Sequence, residues 1–315
     1  MLLTYHKDDD ELRAIMCKYE SDPIFYPIWH SIKFELEQAF PNTKLTLYSC
    51  QMGHSELFIA FKKNRITNDF FVLYCNGDLD AERFNEALSE LSQLHPWEKS
   101  TMFMGEERIT KAVKSIIDFL VPYPGVPLAE EGLVVVLAST YFTESNPSQA
   151  TTPYPCKMYY MNREQMNSVL ELKSPNLPPG YELGSADPVK DAEVITKTWR
   201  HAGQNEVEQT RAKLTHFPSS CVRYKDVPAG FEMIDPLGLL NHLFVLEQHR
   251  KKGLGNIIEL DLAKKVIHRG FKVYKCVELF NTAVLAGSDR SPFWSTARNN
   301  DGSDAIYVFL AVVKE

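Results

Sequence analysis

The residues with the clearest chemical meaning lie in one run, Leu243-Phe244-Val245-Leu246-Glu247-Gln248-His249-Arg250-Lys251-Lys252-Gly253-Leu254-Gly255-Asn256. An apolar strand passes into a basic, glycine-bearing loop, and the loop opens a helix. A helix N-terminus presents unpaired N–H groups and a partial positive charge. Glycines let the backbone approach an anion closely, and Arg250, Lys251 and Lys252 add charge attraction. Several convergent donors suit a diphosphate better than a carboxylate. The same tripeptide also reads as a solvated basic turn, and a Gly-x-Gly pair alone does not separate the two readings. A nucleotide P-loop is excluded, because no G-x-x-x-x-G-K-[ST] run occurs. A dinucleotide fingerprint lacks its third glycine.

A strand over Leu239 to Leu246 and a helix over Leu254 to Arg269 must hold this loop; Gly270 suits the left-handed position after the helix. The C-terminal half around them is a regular series. Asp187-Pro188 starts a helix running to Trp199, since Asp caps orphan N–H groups and Pro loses nothing at the first helical position. A second helix covers Gln204 to Leu214. Strands are expected at Ser220 to Tyr224 and at Gly230 to Ile234, which enters the turn Asp235-Pro236-Leu237-Gly238. Further strands follow at Lys272 to Leu279 and Ala305 to Val313, with a helix or loop between them.

The N-terminal half alternates helices and strands. Ile24 to Phe40 places Ile28, Ile32, Leu36 and Phe40 on one stripe, and Pro41-Asn42 ends it. Strands are expected at Lys44 to Cys50, Glu56 to Phe61 and Asp69 to Cys75, then a turn at Asn76-Gly77-Asp78. Ala81 to Leu94 buries Phe84, Leu88 and Leu91, and Ile109 to Leu120 is a further helix. Gly132 to Ser139 is an apolar run suited to a central strand. This half carries no catalytic constellation and reads as a structural partner. Two stretches are rich in loop formers, Thr143 to Pro155 and Ser174 to Gly180. Their prolines argue against a continuing helix or a central strand. The boundary is expected at the second, giving domains over 1-176 and 177-315. No internal repeat is visible.

The chain has 315 residues, 34 Lys+Arg against 41 Asp+Glu, and a formal charge of −7. At roughly 100–200 residues per domain this length suggests two domains. The acidic balance argues against a nucleic-acid partner, which calls for a basic face. No apolar run of about 18 residues predicts a membrane span. The acidic start, Met1 to Glu11, lacks the marks of a transit or signal peptide. Cys17, Cys50, Cys75, Cys156, Cys221 and Cys276 form no C-x-x-C pair and no metal-ligand spacing, so no metal is expected. Mostly apolar neighbours mark them as reduced thiols. A soluble, cytoplasmic protein is expected.

The pattern Arg-x-x-Gly-x-Gly between a strand and a helix ending in Gly-Phe resembles the acyl-CoA motif of the GNAT acyltransferase superfamily. Within it, residues 180–300 look most like the glycine N-acyltransferase-like family. The supporting segments are Trp199 to Glu206, Phe217 to Cys221, Asp235 to Gly238, and His268 to Phe271 leading to Val277-Glu278-Leu279-Phe280-Asn281. The resemblance implies an α/β (α+β) GNAT fold with a mixed central sheet, preceded by a second α/β domain of degenerate GNAT-like type. It implies an N-acyltransferase with acyl-CoA or acetyl-CoA as co-substrate and a small amine, such as glycine, as acceptor. Backbone at Phe244, Val245 and Leu246 would pair with the pantetheine amides. Arg250, Lys251, Lys252, Gly253, Leu254, Gly255 and Asn256 would hold the pyrophosphate. Asn281 would lie near the cofactor arm, and otherwise reads as an ordinary strand-end turn residue. The resemblance leaves a mitochondrial location open, and the oligomeric state is not legible.

Attack by an amine on a thioester needs a base to free the nitrogen and a donor for the departing thiolate. The family's Glu base falls at Leu239 here, and the superfamily's Tyr acid falls at Asp289. His242 is a candidate base, with an ordinary pKa of about 6.5; plain strand alternation puts it on the face opposite Leu239. Glu232, one strand earlier, is a second. Ser288 is a candidate donor, and Asp289 another only if buried and protonated. Positioning alone can also supply rate. Phe293 and Trp294 are candidates to line a pocket, and His201 and Asn205 to border the acceptor. A catalytically weak or inactive acyl-CoA-binding sensor or scaffold is the rival to an enzyme, and a degenerate fold that binds nothing is the third reading.

Overall fold

The structure is a computed structural model that describes residues 2–95, 100–120, 151–299 and 301–312. The chain begins with β1 (Thr4–His6), α1 (Asp9–Lys18), a 3₁₀ turn at Pro23–Phe25 and α2 (Tyr26–Leu36). It continues through β2 (Thr43–Met52), β3 (Ser55–Asn64), β4 (Asp69–Cys75), α3 (Ala81–Leu94), β5 (Thr101–Glu106) and α4 (Glu107–Leu120). Then come β6 (Thr151–Tyr160) and α5 (Arg163–Glu171). The second half supplies β7 (Tyr181–Gly184), α6 (Ala192–Lys197), α7 (Glu206–His216), β8 (Ser219–Tyr224), β9 (Val227–Ile234) and β10 (Leu240–Val245). It ends with α8 (Leu254–His268), β11 (Tyr274–Glu278), α9 (Thr282–Arg290), β12 (Ser295–Thr296) and β13 (Ile306–Val312). Each half thus runs strand, two helices, three strands, helix, strand, helix. The repeat is one of architecture, although the sequence shows none.

Local rules account for most boundaries. Asp8 accepts from the backbone of Asp10 and Glu11 and starts α1. The acidic leader is therefore a helix start. Asn162 and Gln165 form a reciprocal capping box on α5. In α3, Phe84, Leu88 and Leu91 are buried as their spacing predicts. The helix expected from Asp187 begins only at Ala192 and ends at Lys197, because the Asp187 carboxylate accepts from Val189 and Lys190 and holds a turn there. The run Gly132 to Ser139 lies outside the described residues.

Among the described residues, two sheets form. The larger, nine-stranded one has the order β1-β2-β3-β4-β5-β13-β6-β11, with β12 also on β6. Its pairs are antiparallel except β4 with β5. The smaller is the antiparallel set β10-β9-β8-β7. The larger sheet crosses the expected boundary at residue 176: β13 lies between β5 and β6, and β11 pairs with β6.

The loop expected over Thr143 to Pro155 is corrected from residue 151 onward, where β6 begins. Pro153 and Pro155 sit inside it. The Pro155 carbonyl accepts from Leu279 N on the β11 side, so the donor it lacks also faces that side, where β11 has ended. The strand loses no ladder bond to β13.

The core is shared. Ile28, Ile32, Leu45 and Phe58 from the first half pack in one cluster with Leu237, Leu239, Tyr274 and Tyr307 from the second. At this junction the buried Lys62 ammonium donates to the Pro236 carbonyl at 2.5 Å, and Tyr274 Oη donates to Leu237 O at 2.6 Å. Burial lowers the Lys62 pKa from 10.5 to about 8. No helix among the described residues is long and apolar enough to cross a membrane.

Candidate active site

Among the described residues, β10 pairs only with β9, and β11 pairs with β6. Each is therefore the last strand of its sheet, and their free edges flank a gap. On one wall lie Phe244, Val245 and Leu246. On the other, β11 ends at Glu278, followed by exposed Leu279, Phe280 and Asn281.

The chain leaves β10 through Glu247–His249 and reaches α8 by way of Arg250 to Gly253. Lys251 and Gly253 are both left-handed, with φ 61° and 74°. No side chain caps α8, and a methyl group at Gly253 would meet nothing within 4 Å. Leu254, Gly255 and Asn256 thus open the helix beside open space and three cations. Arg250 folds back so that Nε donates to Val245 O at 2.9 Å, and its guanidinium lies 5.5 Å from the Phe244 ring centre. Lys252 donates to Tyr181 Oη at 3.0 Å.

The matching place in the first half is closed. There Gly105 of β5 lies so near β4 that an added methyl would stand 2.7 Å from Leu73 O. Arg108 donates to the carbonyls of Gly77 and Cys75 at 2.6 and 2.7 Å and pairs with Glu106 at 3.0 Å. Asp80 caps α3 by accepting from Arg83 N. Its loop carries Asp78 and Asp80 where the other carries Arg250, Lys251 and Lys252. One half leaves its two strands unpaired beside a cationic loop, and the other pairs the matching strands directly and carries acidic residues in the loop.

His242 sits on a bulge. Asn241 pairs with Met233 and Phe244 with Phe231, so His242 and Leu243 together oppose Glu232. His242 has φ 61°, a left-handed conformation in which His is enriched. The bulge breaks the plain alternation expected for this strand. The imidazole faces α6 and α7, 5.9 Å from the Trp199 ring and 5.4 Å from Phe231. Thr198 Oγ1 donates to Ile195 O, so it accepts from His242 Nε2 at 3.0 Å and leaves Nδ1 a buried acceptor without a partner. Burial, and then the nearby Lys213 ammonium, lower its pKa to about 4. Lys213 itself is buried against Glu206 at 2.9 Å and over the Trp199 ring.

Glu232 points the other way, toward α8. It is buried, and its pKa is pushed well up, first by burial and then by Glu259. Glu259 is paired with Lys275 at 2.5 Å and accepts from Trp294 Nε1 at 2.9 Å. Glu232 therefore lies on the face opposite His242. Ser288 is buried on α9 with no partner for its hydroxyl among the described residues. Asp289 is neither buried nor protonated: it accepts from Lys157 and Tyr159, which hold its pKa down, so the acid role expected of it does not apply. Trp294 belongs to the core under α8 with Phe293 packed against it. Asn281 precedes α9 without capping it. Asn205, left-handed at φ 60°, donates to Ile66 O of the first half.

His201 is half-exposed between α6 and α7, and its Nε2 lies 3.0 Å from Glu278 Oε1 across the gap. Glu278 escaped the sequence reading. The one signal for it was a carboxylate closing the strand Tyr274-Lys275-Cys276-Val277-Glu278.

No protein-family model matches the chain. Among solved structures, a Drosophila protein superposes with a TM-score of 0.73 at 14% identity, over 99% of this chain and 98% of that one. A tandem GNAT protein from the clavulanic acid biosynthesis pathway, in a form without acetyl-CoA, gives a TM-score of 0.51 at 14% identity, over 99% of both chains. Carried through two halves of like element order, this chain's architecture is the GNAT fold.

Proposed function

We propose that the chain is an acyl-CoA-dependent N-acyltransferase that moves an acyl group from a CoA thioester to a small amine, by resemblance an amino acid such as glycine. One observation carries the reading: the gap between the free edges of β10 and β11 opens beside an uncapped, cationic helix start, in one half only. Of Phe244 to Leu246, only Val245 turns its backbone to the free edge, since Leu246 N donates to Ala229 O; an amide of the pantetheine arm would pair there and take the place of Arg250 at the Val245 carbonyl. The loop from Arg250 to Asn256 suits the diphosphate, and Asn281 stands at the opposite wall. The thioester carbon would then lie near the bulge at His242. In this reading residues 177–315 form the catalytic GNAT domain and residues 1–176 a GNAT-like partner, and the protein works in the cytoplasm.

A second reading has its own observation. The family's base position is Leu239, which is buried, and Glu232 faces away from His242. A protein that binds acyl-CoA without turning it over fits these facts as well. Thermal melts with and without CoA, together with mass-spectrometric detection of CoA release over a panel of acyl-CoAs and amines, separate the two. Both readings expect stabilisation of about 2.7 kcal/mol at 100 times Kd, weakened when Arg250 and Gly253 are replaced. Only the first expects release. No thermal shift would overturn both.

A further inference from the structure

We infer that His201, held by Glu278, is the base that takes the proton from the acceptor amine; this rests on the acyltransferase reading. The segment from Thr198 to His201 bridges the gap. From β10, the His242 ring meets Trp199 at 5.9 Å, and Trp199 meets His201 edge-on at 6.3 Å. His201 then reaches Glu278, the last residue of β11, at 3.0 Å. Arg200 reinforces the crossing, with its guanidinium 4.4 Å from the Phe280 ring centre and 3.9 Å from Glu278 Oε2. The histidine and its carboxylate thus stand over the place where the two strands part, on the face that His242 shares.

The two histidines differ in what they can do with a proton. His242 is half-buried with its Nδ1 fully covered, faces the Lys213 ammonium and has no carboxylate beside it. His201 has 31% of its side chain exposed, so an amine can reach it. A carboxylate accepts hydrogen bonds, so Glu278 takes Nε2–H, fixes the tautomer and leaves the Nδ1 lone pair as the proton acceptor. Once Nδ1 is protonated, the carboxylate offsets the imidazolium charge. The other groups facing the pair are the Tyr154 ring, 5.0 Å from His201 and edge-on, Arg200, and the Cys156 thiol, whose pKa burial raises and Glu278 raises further.

The step balances. The acceptor ammonium gives one proton to His201 Nδ1. Its neutral nitrogen attacks the thioester carbon, the C–N bond forms, and the C–S bond breaks as the tetrahedral adduct collapses. The second nitrogen proton passes to the departing sulfur, leaving the amide and the CoA thiol, and His201 returns its proton to water. His201 is the catalytic residue and Glu278 a positioning residue.

His201→Gln keeps a side chain able to donate to Glu278 but unable to take the proton. It should lower kcat/KM for the amine roughly 100-fold, with an unchanged thermal shift on CoA. The acid limb of the wild-type pH profile should vanish, and added imidazole should restore turnover of His201→Ala in proportion to its concentration. Glu278→Gln should lower kcat by a smaller factor, with KM for acyl-CoA unchanged, and Glu278→Asp should recover part of it. Full turnover in His201→Gln with the acid limb in place overturns the assignment and leaves the acyltransferase reading standing. Absence of CoA release from the wild type over the whole panel overturns both.

Discussion

At position 242 the backbone is left-handed and the half-buried side chain packs among rings. Burial and Lys213 hold the imidazole down to about 4. Between pH 6.5 and 4 the unfolded chain binds a proton there that the folded chain refuses. The contribution to stability is therefore complete above pH 6.5 and is lost as the pH falls through 4. The whole effect amounts to about 3 kcal/mol. Asn tolerates the left-handed backbone, so His242→Asn should lose less stability than the wild type between pH 6.5 and 4 in urea titrations. His30, held down to about 3 by burial, titrates in both proteins and cancels in the difference. Parallel acid slopes would remove His242 from the account. Gly253 allows a second measurement: at φ 74° an alanine costs about 1–2 kcal/mol, and the CoA-dependent melting shift should shrink with it.

The paired elements that define the cleft can be tested by contrast. Gly105 keeps β4 and β5 together where β10 and β11 stay apart. Gly105→Ala should destabilise by roughly 1–3 kcal/mol, because the methyl meets backbone that cannot give way. A chemical denaturation midpoint equal to that of the wild type would show that the contact relaxes. Elements with long apolar stripes, such as α3, were legible in the sequence because periodicity is local. β1 and β7 escaped, being three and four residues long. β6 escaped because Pro153 and Pro155 argue against a strand until its neighbours are known. α5 escaped because it buries only Val169, which leaves no apolar stripe, although its Asn162–Gln165 capping box is a local signal. The same division holds in the site. The passage from strand through the loop at Arg250 to Gly253 into a helix was legible, since the glycine and the apolar runs act where they stand. The bulge that turns His242 and the meeting of His201 with Glu278, 77 residues apart, are products of tertiary packing.

Across the whole molecule the halves are joined by buried polar contacts as well as by core. Lys62 is held down to about 8 by burial. Between pH 8 and 10.5 the unfolded chain keeps a proton that the folded chain gives up. The penalty of burying this charge is full below pH 8 and fades as the pH rises. It amounts to about 3 kcal/mol at most. Relative to Lys62→Met, the wild type should therefore gain stability between pH 7 and 9.5, read as the difference between urea midpoints of the two proteins. A difference that does not change with pH would mean that the ammonium is solvated. Buried thiols and phenols titrate in the same range, and the comparison removes them.

The position of β13 has a consequence in time as well as in space. Ribosomes release the chain from its N-terminus, so β5 and β6 emerge early, and the strand that belongs between them comes after every other strand described. Until then each holds out a row of unpaired amides and carbonyls, the kind of edge that invites pairing with another nascent chain. Molecular chaperones would be needed most in that interval, and the first half would become protease-resistant only once β13 has emerged and paired with both strands.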